Sequence, residues 1–423
     1  MKKQSLSALV AAGLLAGGMS VSSASAADLG GNCCADLEER IAELEATTAR
    51  KGNRKVSLTI SGWVAEQVTW WDDGSESDTY VGGIGTTLGT NVKFTGQATI
   101  VPGWTAGYVL HLEADGSDTL ATTNQVSPNG VGLYTGTTNY VQTLQSYWFI
   151  KSESLGKVGV GLQSMVSDNA AILVDGSGSL VPANWVTFDV GGFLYRGKDG
   201  ALSGTRIIDQ SCNGGGDCYG VPANSVRYDT PTFAGFSASA AWGEDDVWDV
   251  GLRYAGELGG FKLAAVVTYG EVSEGNVSPN NFAGGALFAQ DSAYTQAGLY
   301  VQHIGTGLFG LVNYGNLELD SGDAIDPTAR DSETWYFKAG LRQRWTPLGH
   351  TVLYGEYDKN EDGNSLGSES EFWGLGVVQE IDNAAMSLWL SYRQFSADNP
   401  ADTAAHGGLE DFDMVKGGAL INF

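Results

Sequence analysis

From Val56 to the C-terminus the chain alternates apolar and polar residues one by one. In VSLTISGWV (56–64), Val56, Leu58, Ile60 and Val64 fall on one side, and Ser57, Thr59 and Ser61 on the other. In NVKFTGQATI (91–100), Val92, Phe94, Ala98 and Ile100 oppose Asn91, Lys93, Thr95, Gln97 and Thr99. In TWYFKAGLRQRW (334–345), Trp335, Phe337, Ala339, Leu341 and Trp345 oppose Thr334, Tyr336, Lys338, Gly340, Arg342 and Arg344. A period of two is the strand signature, because successive side chains point to opposite faces. The pattern predicts sixteen strands, near 56–71, 90–100, 104–115, 140–151, 157–163, 224–230, 233–243, 246–255, 260–271, 291–303, 307–319, 332–346, 349–359, 369–380, 384–396 and 409–423.

The connections alternate in length. Short turns sit at 101–103, 154–156, 230–232, 257–260, 304–306, 347–349 and 382–383. Longer, polar, acidic segments sit at 72–89, 116–139, 164–223, 272–290, 320–331, 360–368 and 397–408, with a short exception near Gly243. Tight turns at one end, long loops at the other and an even strand count predict an all-β fold, a closed antiparallel transmembrane barrel. In hydrocarbon every backbone N–H and C=O needs a partner, so a spanning sheet must close on itself. Alternate residues then face lipid and a polar lumen. Trp70, Trp71, Trp104, Trp242 and Tyr314 are candidates for the aromatic girdles. In the last strand Val415, Ala419, Ile421 and Phe423 would face lipid and Lys416, Gly418 and Asn422 the lumen, with Phe423 at the periplasmic edge. A secreted β-helix or β-sandwich is the competing reading.

One segment breaks the period. In ADLEERIAELEATTAR (35–50), Leu37, Ile41 and Leu44 have helical spacing. This short amphipathic helix would join protomers as a coiled coil or rest on the rest of the protein, and KGNRK (51–55) would link it to the first strand. Contact with peptidoglycan through 35–55 is a further expectation. Residues 1–26 read as a secretory signal: Lys2 and Lys3, an apolar run from Leu9 to Met19, then Ala24-Ser25-Ala26. The expected organisation is thus a signal at 1–26, a periplasmic segment at 27–55 and a barrel at 56–423.

Composition narrows the function. No other apolar run reaches the ~20 residues that a spanning helix needs. The chain has 60 Gly, 12 Trp and 17 Tyr, which suits strands, turns and girdles. Its formal charge of −26 argues against nucleic acid as a partner. Cys33 and Cys34 are adjacent; Cys212 and Cys218 flank NGGGD and are a candidate local disulfide or two free thiols. No cysteine or histidine spacing suits zinc, and no cofactor is expected. His111, His303, His350 and His406 are scattered and no HExxH is present, so an enzyme is not expected. The acidic stretches DDGSESD (72–78), Asp320, Asp323, Asp326, Asp331 and NEDG (360–363) would bind divalent cations shared with lipopolysaccharide, or simply keep the outer loops hydrated.

Three stretches carry a family resemblance: CCADLEERIAELEATTARKGNRKVSLTISGWV (33–64), LGKVGVGLQSMVSDNA (155–170) and the final strand ending in Phe423. The chain resembles the alphaproteobacterial general porins, though Leu162 stands where related porins often carry a basic residue. The resemblance implies a homotrimer of sixteen-stranded barrels in the outer membrane of a Gram-negative bacterium. Each barrel would be a water-filled channel for passive diffusion of small hydrophilic solutes and ions. The constriction would be the loop after strand five, here 164–223, carrying Asp168, Asp175, Asp189, Asp199, Asp209 and Asp217.

Alternation assigns Lys93, Arg227, Arg253, Lys338, Arg342, Arg344 and Arg393 to a basic lumen wall, and Glu113, Asp229, Asp249, Glu356 and Asp358 to its acids. A basic wall across the aperture from Asp168, Asp175 and Asp189 would set up a transverse field and an ion preference. A substrate-selective channel for sugar, phosphate or an organic acid is the alternative, with lumenal Tyr336 and the Arg342/Arg344 pair as its pointers.

Overall fold

The computed structural model describes residues 56–85, 87–114, 116–117, 119–130, 141–210, 222–243, 247–273, 291–319, 331–363 and 365–423. The helix expected at 35–50, the signal, Asp217, Asp320, Asp323, Asp326 and the pair Cys212/Cys218 lie outside them.

The chain begins with β1 (Thr59–Asp72), β2 (Ser77–Gly82), β3 (Asn91–Val101), β4 (Trp104–Glu113), β5 (Gln142–Ser152) and β6 (Gly156–Ser164). A short hairpin, β7 (Leu194–Arg196) and β8 (Leu202–Arg206), follows within the longest connection. Then come β9 (Pro222–Asp229), β10 (Phe236–Gly243), β11 (Val247–Leu258), β12 (Phe261–Val272), β13 (Ser292–His303), β14 (Leu308–Leu319) and β15 (Asp331–Thr346). The last elements are β16 (Gly349–Glu361), β17 (Glu369–Ile381), β18 (Met386–Asp398), helix α1 (Pro400–His406) and β19 (Phe412–Asn422).

Antiparallel pairing runs from strand to strand and returns from β19 to β1, where Trp63 to Asp72 face Asn422 to Asp413. Gly62 and Phe423 exchange two backbone hydrogen bonds of 3.1 Å at this seam. The other edge of β1 is shared: β3 pairs with its periplasmic half and β2 with its outer half. The sheet therefore has 17 strands but sixteen positions around the ring, and the ring closes on itself between β19 and β1. Each of the sixteen expected strands is present within a few residues of its expected bounds.

Segments expected to be plain loops carry the rest. β2, the β7–β8 hairpin and α1 are all in long connections. Helix α1 had a readable signal. Asn399 caps it, accepting from the Ala401 N–H, Pro400 opens it, and Gly407 ends it at φ 74°. The turn between β11 and β12 needs two left-handed residues and uses Gly259 and Gly260, at φ 60° and 85°.

The alternation has the expected sense. Val64, Val68, Val250, Leu252, Val267, Leu353, Leu390 and Ile421 point outward and are exposed, as hydrocarbon-facing residues should be. Trp70, Trp104 and Trp242 join them near the ends of the strands. Trp71 does not: adjacent strand residues point oppositely, and it packs inward against Tyr80, Phe193 and Phe412. The buried apolar core therefore lies inside the cylinder, between its wall and the segment that follows β6.

Candidate functional site

That segment folds into the lumen and lies along the wall. Val166, Ala170, Ala171, Ile172, Val174, Trp185, Val186, Phe188, Val190 and Phe193 are all buried. The wall makes room for them with glycine on its inward rows. A Cβ at Gly251 would lie 2.7 Å from Val166, one at Gly298 3.0 Å from Ala171, and one at Gly315 3.1 Å from Trp185.

Polar anchors follow the same path. Arg227 on β9 donates to the Ser164 and Met165 carbonyls, and Arg253 on β11 to the Val166 carbonyl. Asp249 accepts from the Ser167 N–H and hydroxyl, both at 2.7 Å, and Gln296 from the Ala171 N–H. On β15, Lys338 lies 2.5 Å from Asp175 and also donates to the Ala183 carbonyl, with both charged side chains almost wholly buried. Arg393 on β18 pairs with Glu356 of β16 at 2.8 Å and donates to the Asn184 carbonyl. Lys416 on β19 pairs with Asp189 at 2.6 Å, and Gln67 on β1 donates to the same carboxylate.

This corrects the expected electrostatics. Asp175 and Asp189 do not face a basic wall across the aperture; they sit on it, each bonded to a lysine beneath. Burial alone would raise the Asp189 carboxyl, but Lys416 and then Arg393 hold it below the ordinary aspartate value. Asp168 is different. It is bonded to Asn169 and, among the described residues, to no lysine or arginine; burial pushes it up to about 6, outweighing a hydrogen bond from Ser164 and the Arg227 charge. Asp199 is on the hairpin beside His406, and Asp209 pairs with Arg206.

The other expected residues divide. Arg342 pairs with Glu380, and Arg227 with Asp229. Arg344 is no part of a constriction. A register shift between Gln343 and Thr346 carries it to the turn end of β15, where it is half exposed and bonded to Asp382. Lys93 stands apart from the loop anchors, opposite His111 on β4. Tyr336 is wholly buried and donates to Glu356, so it lines no open path. Sequence reasoning missed Gln67, Gln296 and the role of Lys416 as loop anchors; the inward glycines of β11, β13 and β14 were the available signal.

The far end of the segment is also fastened. Arg196 reaches Asp73 at 2.7 Å and Glu76 at 3.0 Å, and Asn124 donates to Asp73 as well. Burial opposes ionisation of Asp73, yet Arg196 and the surrounding donors keep its carboxyl below the ordinary value. Thr205 donates to Asp402 on α1, and the Glu410 N–H to the Arg196 carbonyl. The hairpin is thus tied to three outer connections. The β16–β17 connection, which is not one of the three, contains GNSLG (363–367), with the spacing of a serine-hydrolase elbow. Ser365 is on a loop and donates to Asn399, and among the described residues no basic side chain is bonded to it.

The arrangement is a cylinder of polar lumen narrowed by an inward segment bolted to one side. Comparison agrees with that description. The anion-selective porin from Comamonas acidovorans shares the fold at TM-score 0.55 and 16% identity, over 87% of this chain and all of that one. OmpT of Vibrio cholerae does so at 0.52 and 12%, over 88% and 99%. Salmonella typhi OmpF, solved in complex with daunomycin, does so at 0.51 and 13%, over 88% and 99%. A search of the curated proteins finds no match. The family model for Gram-negative porins matches residues 7–410. The chain belongs to the Gram-negative porin family and is an outer-membrane channel for passive diffusion.

Proposed function

We propose that the protein works as a homotrimer of weakly selective pores for small hydrophilic solutes and ions, with no catalytic step and no cofactor. The observation that carries this is the one-sided fastening of the inward segment. Its named anchors lie on β9, β11, β13, β15, β18, β19 and β1. Solutes then pass between the segment and the wall made by β3, β4 and β5, where β3 presents Lys93, Thr95 and Gln97 while His111 opposite Lys93 is buried.

Pairing Asp175 and Asp189 with lysines removes most of their field from the aperture. The outer mouth keeps exposed acids at Glu76, Asp78, Glu369, Glu371 and Asp411. That charge raises the local cation concentration, and salt screens it over ~10 Å at 0.1 M. The expected result is a modest cation preference that fades at high salt.

The test is single-channel conductance and reversal potential of the refolded protein in a planar bilayer under a salt gradient. Steps in groups of three with a small cation-selective potential fit the proposal. Small saturable currents blocked by one solute would favour the substrate-selective reading, and a folded barrel without conductance would overturn both.

A further inference from the structure

Two inward lysines of the wall have a carboxylate each: Lys338 has Asp175 and Lys416 has Asp189. Two more, at the tight-turn end of β5 and β6, are arranged differently. Trp148 and Ile150 are exposed on the outer face of β5, so Tyr147, Phe149 and Lys151 point into the lumen. Lys151 is paired in register with Lys157 of β6. Like charges directly opposite each other across a strand pair are destabilising. Lys157 has Asp229 at 3.1 Å, but Asp229 also serves Arg227 at 2.8 Å and the Ser239 hydroxyl at 2.7 Å. Lys151 is exposed and, among the described residues, has no hydrogen bond or ion pair. Three cations therefore share one carboxylate.

An aromatic surface adjoins the lysines. Phe149 is two residues from Lys151, about 7 Å along the strand. Its ring lies over Gly107 of β4, where a Cβ would be 2.4 Å from it, so the ring runs along the wall. The Tyr147 ring follows at 6.4 Å, tilted by 49°. Across from Phe149 and Tyr147 on β6 are Gly159 and Gly161, which add no side chain of their own. Both rings are only half-buried, and the Tyr147 hydroxyl has no hydrogen bond among the described residues. The anchors named for the inward segment lie on other strands.

We propose that the periplasmic exit of the lumen holds a subsite for small aryl carboxylates. Lys151 and Lys157 take the carboxylate, and the Phe149 ring takes the aromatic body. The carboxylate supplies the charge that the facing lysines lack, and charge-assisted hydrogen bonds are the strong ones. The ring adds offset or edge-on aromatic contact, and the ~7 Å between the two groups is a span that a carboxylate carried on a six-membered ring bridges. A sugar would leave the lysines unpaired, and an inorganic anion would leave the rings unused. The proposal rests on the open-pore reading and adds a solute class to it. The subsite lies at the opposite end of the lumen from the acidic mouth, so the two act on different stretches of the path.

The test uses the refolded native protein in a planar bilayer in chloride, with sodium benzoate or sodium acetate added to both sides. Benzoate is expected to lower the conductance saturably at millimolar concentration, and acetate at the same concentration is not. Lys151→Gln alters an exposed side chain and should raise the half-blocking benzoate concentration about tenfold, as the loss of one hydrogen bond to a charged group does. Phe149→Leu should reduce the benzoate effect to that of acetate. Should that variant fail to fold, Lys151→Gln and the comparison of benzoate with acetate decide. A channel that conducts but responds equally to benzoate and acetate, or is blocked by benzoate as before in Lys151→Gln, would overturn the subsite and leave the pore standing. A folded barrel without conductance would overturn the pore reading and this inference with it.

Discussion

The inner wall has two halves that look alike in sequence and do different work. On β11 to β19 the inward rows carry Lys338, Arg393 and Lys416, and each is buried under the inward segment with a carboxylate bonded to it. On β3 and β4 the inward rows carry Lys93 and His111, opposite each other in register, and the anchors named above lie on other strands. A basic residue beneath the segment is a fastener; on the other half Lys93, only half-buried, is proposed to border the solute's path. The difference comes from what lies over the strand and not from the side chain.

The sharpest way to break this comparison is Lys338→Met. It leaves Asp175 buried without its partner, which costs about 3–5 kcal/mol, and should free the middle of the segment. Larger, noisier conductance steps and protease cleavage within 170–190 are expected; unchanged steps would show that Lys338 fastens nothing. Adding Asp175→Leu should recover most of the loss.

Next in size is Asp168. Its folded carboxyl titrates at about 6, against ~3.9 in an unfolded chain. The folded state binds this proton more tightly, so the group's contribution is complete below about pH 4 and is lost as pH rises through about 6, a change of about 3 kcal/mol. Thermal melts across that window should show the fall, and Asp168→Asn should flatten it.

Arg196→Ala is expected to cost about 1.5–3 kcal/mol, less than Lys338→Met because Asp73 keeps the Ser75 and Glu76 N–H groups and Asn124. Faster hydrogen exchange over 194–206 is the readout. The smallest effect on stability should come from Lys93→Gln on the bare half, within about 0.5 kcal/mol, yet it should move the reversal potential toward cations. A Lys93→Gln channel that selects as the native one does would erase the distinction between the halves.

Much of this fold was legible because its period is short and its solvent is harsh. A one-residue slip would turn Val64, Val68 and Ile421 into the lumen, so register is written in every strand. The same rule separates Trp70 from Trp71: as neighbours on β1 they point oppositely and cannot share a girdle. Face is legible, but depth and cover are not. Alternation put Arg344 beside Arg342, and a bulge after Gln343 then separated their environments. Nothing local says that Asp175 will find Lys338, 163 residues away. The β7–β8 hairpin is too short to carry a sequence signal, whereas α1 carries one in Asn399, Pro400 and Gly407.

The seam between Gly62 and Phe423 has one more consequence. Because those residues hydrogen-bond to each other in both directions, the first and last strands of the ring are neighbours like any others. The cylinder has an order but no beginning. A short peptide joining Phe423 to the start of β1, with a new opening at the Gly259–Gly260 turn, would give a circular permutant with the same set of strand pairings.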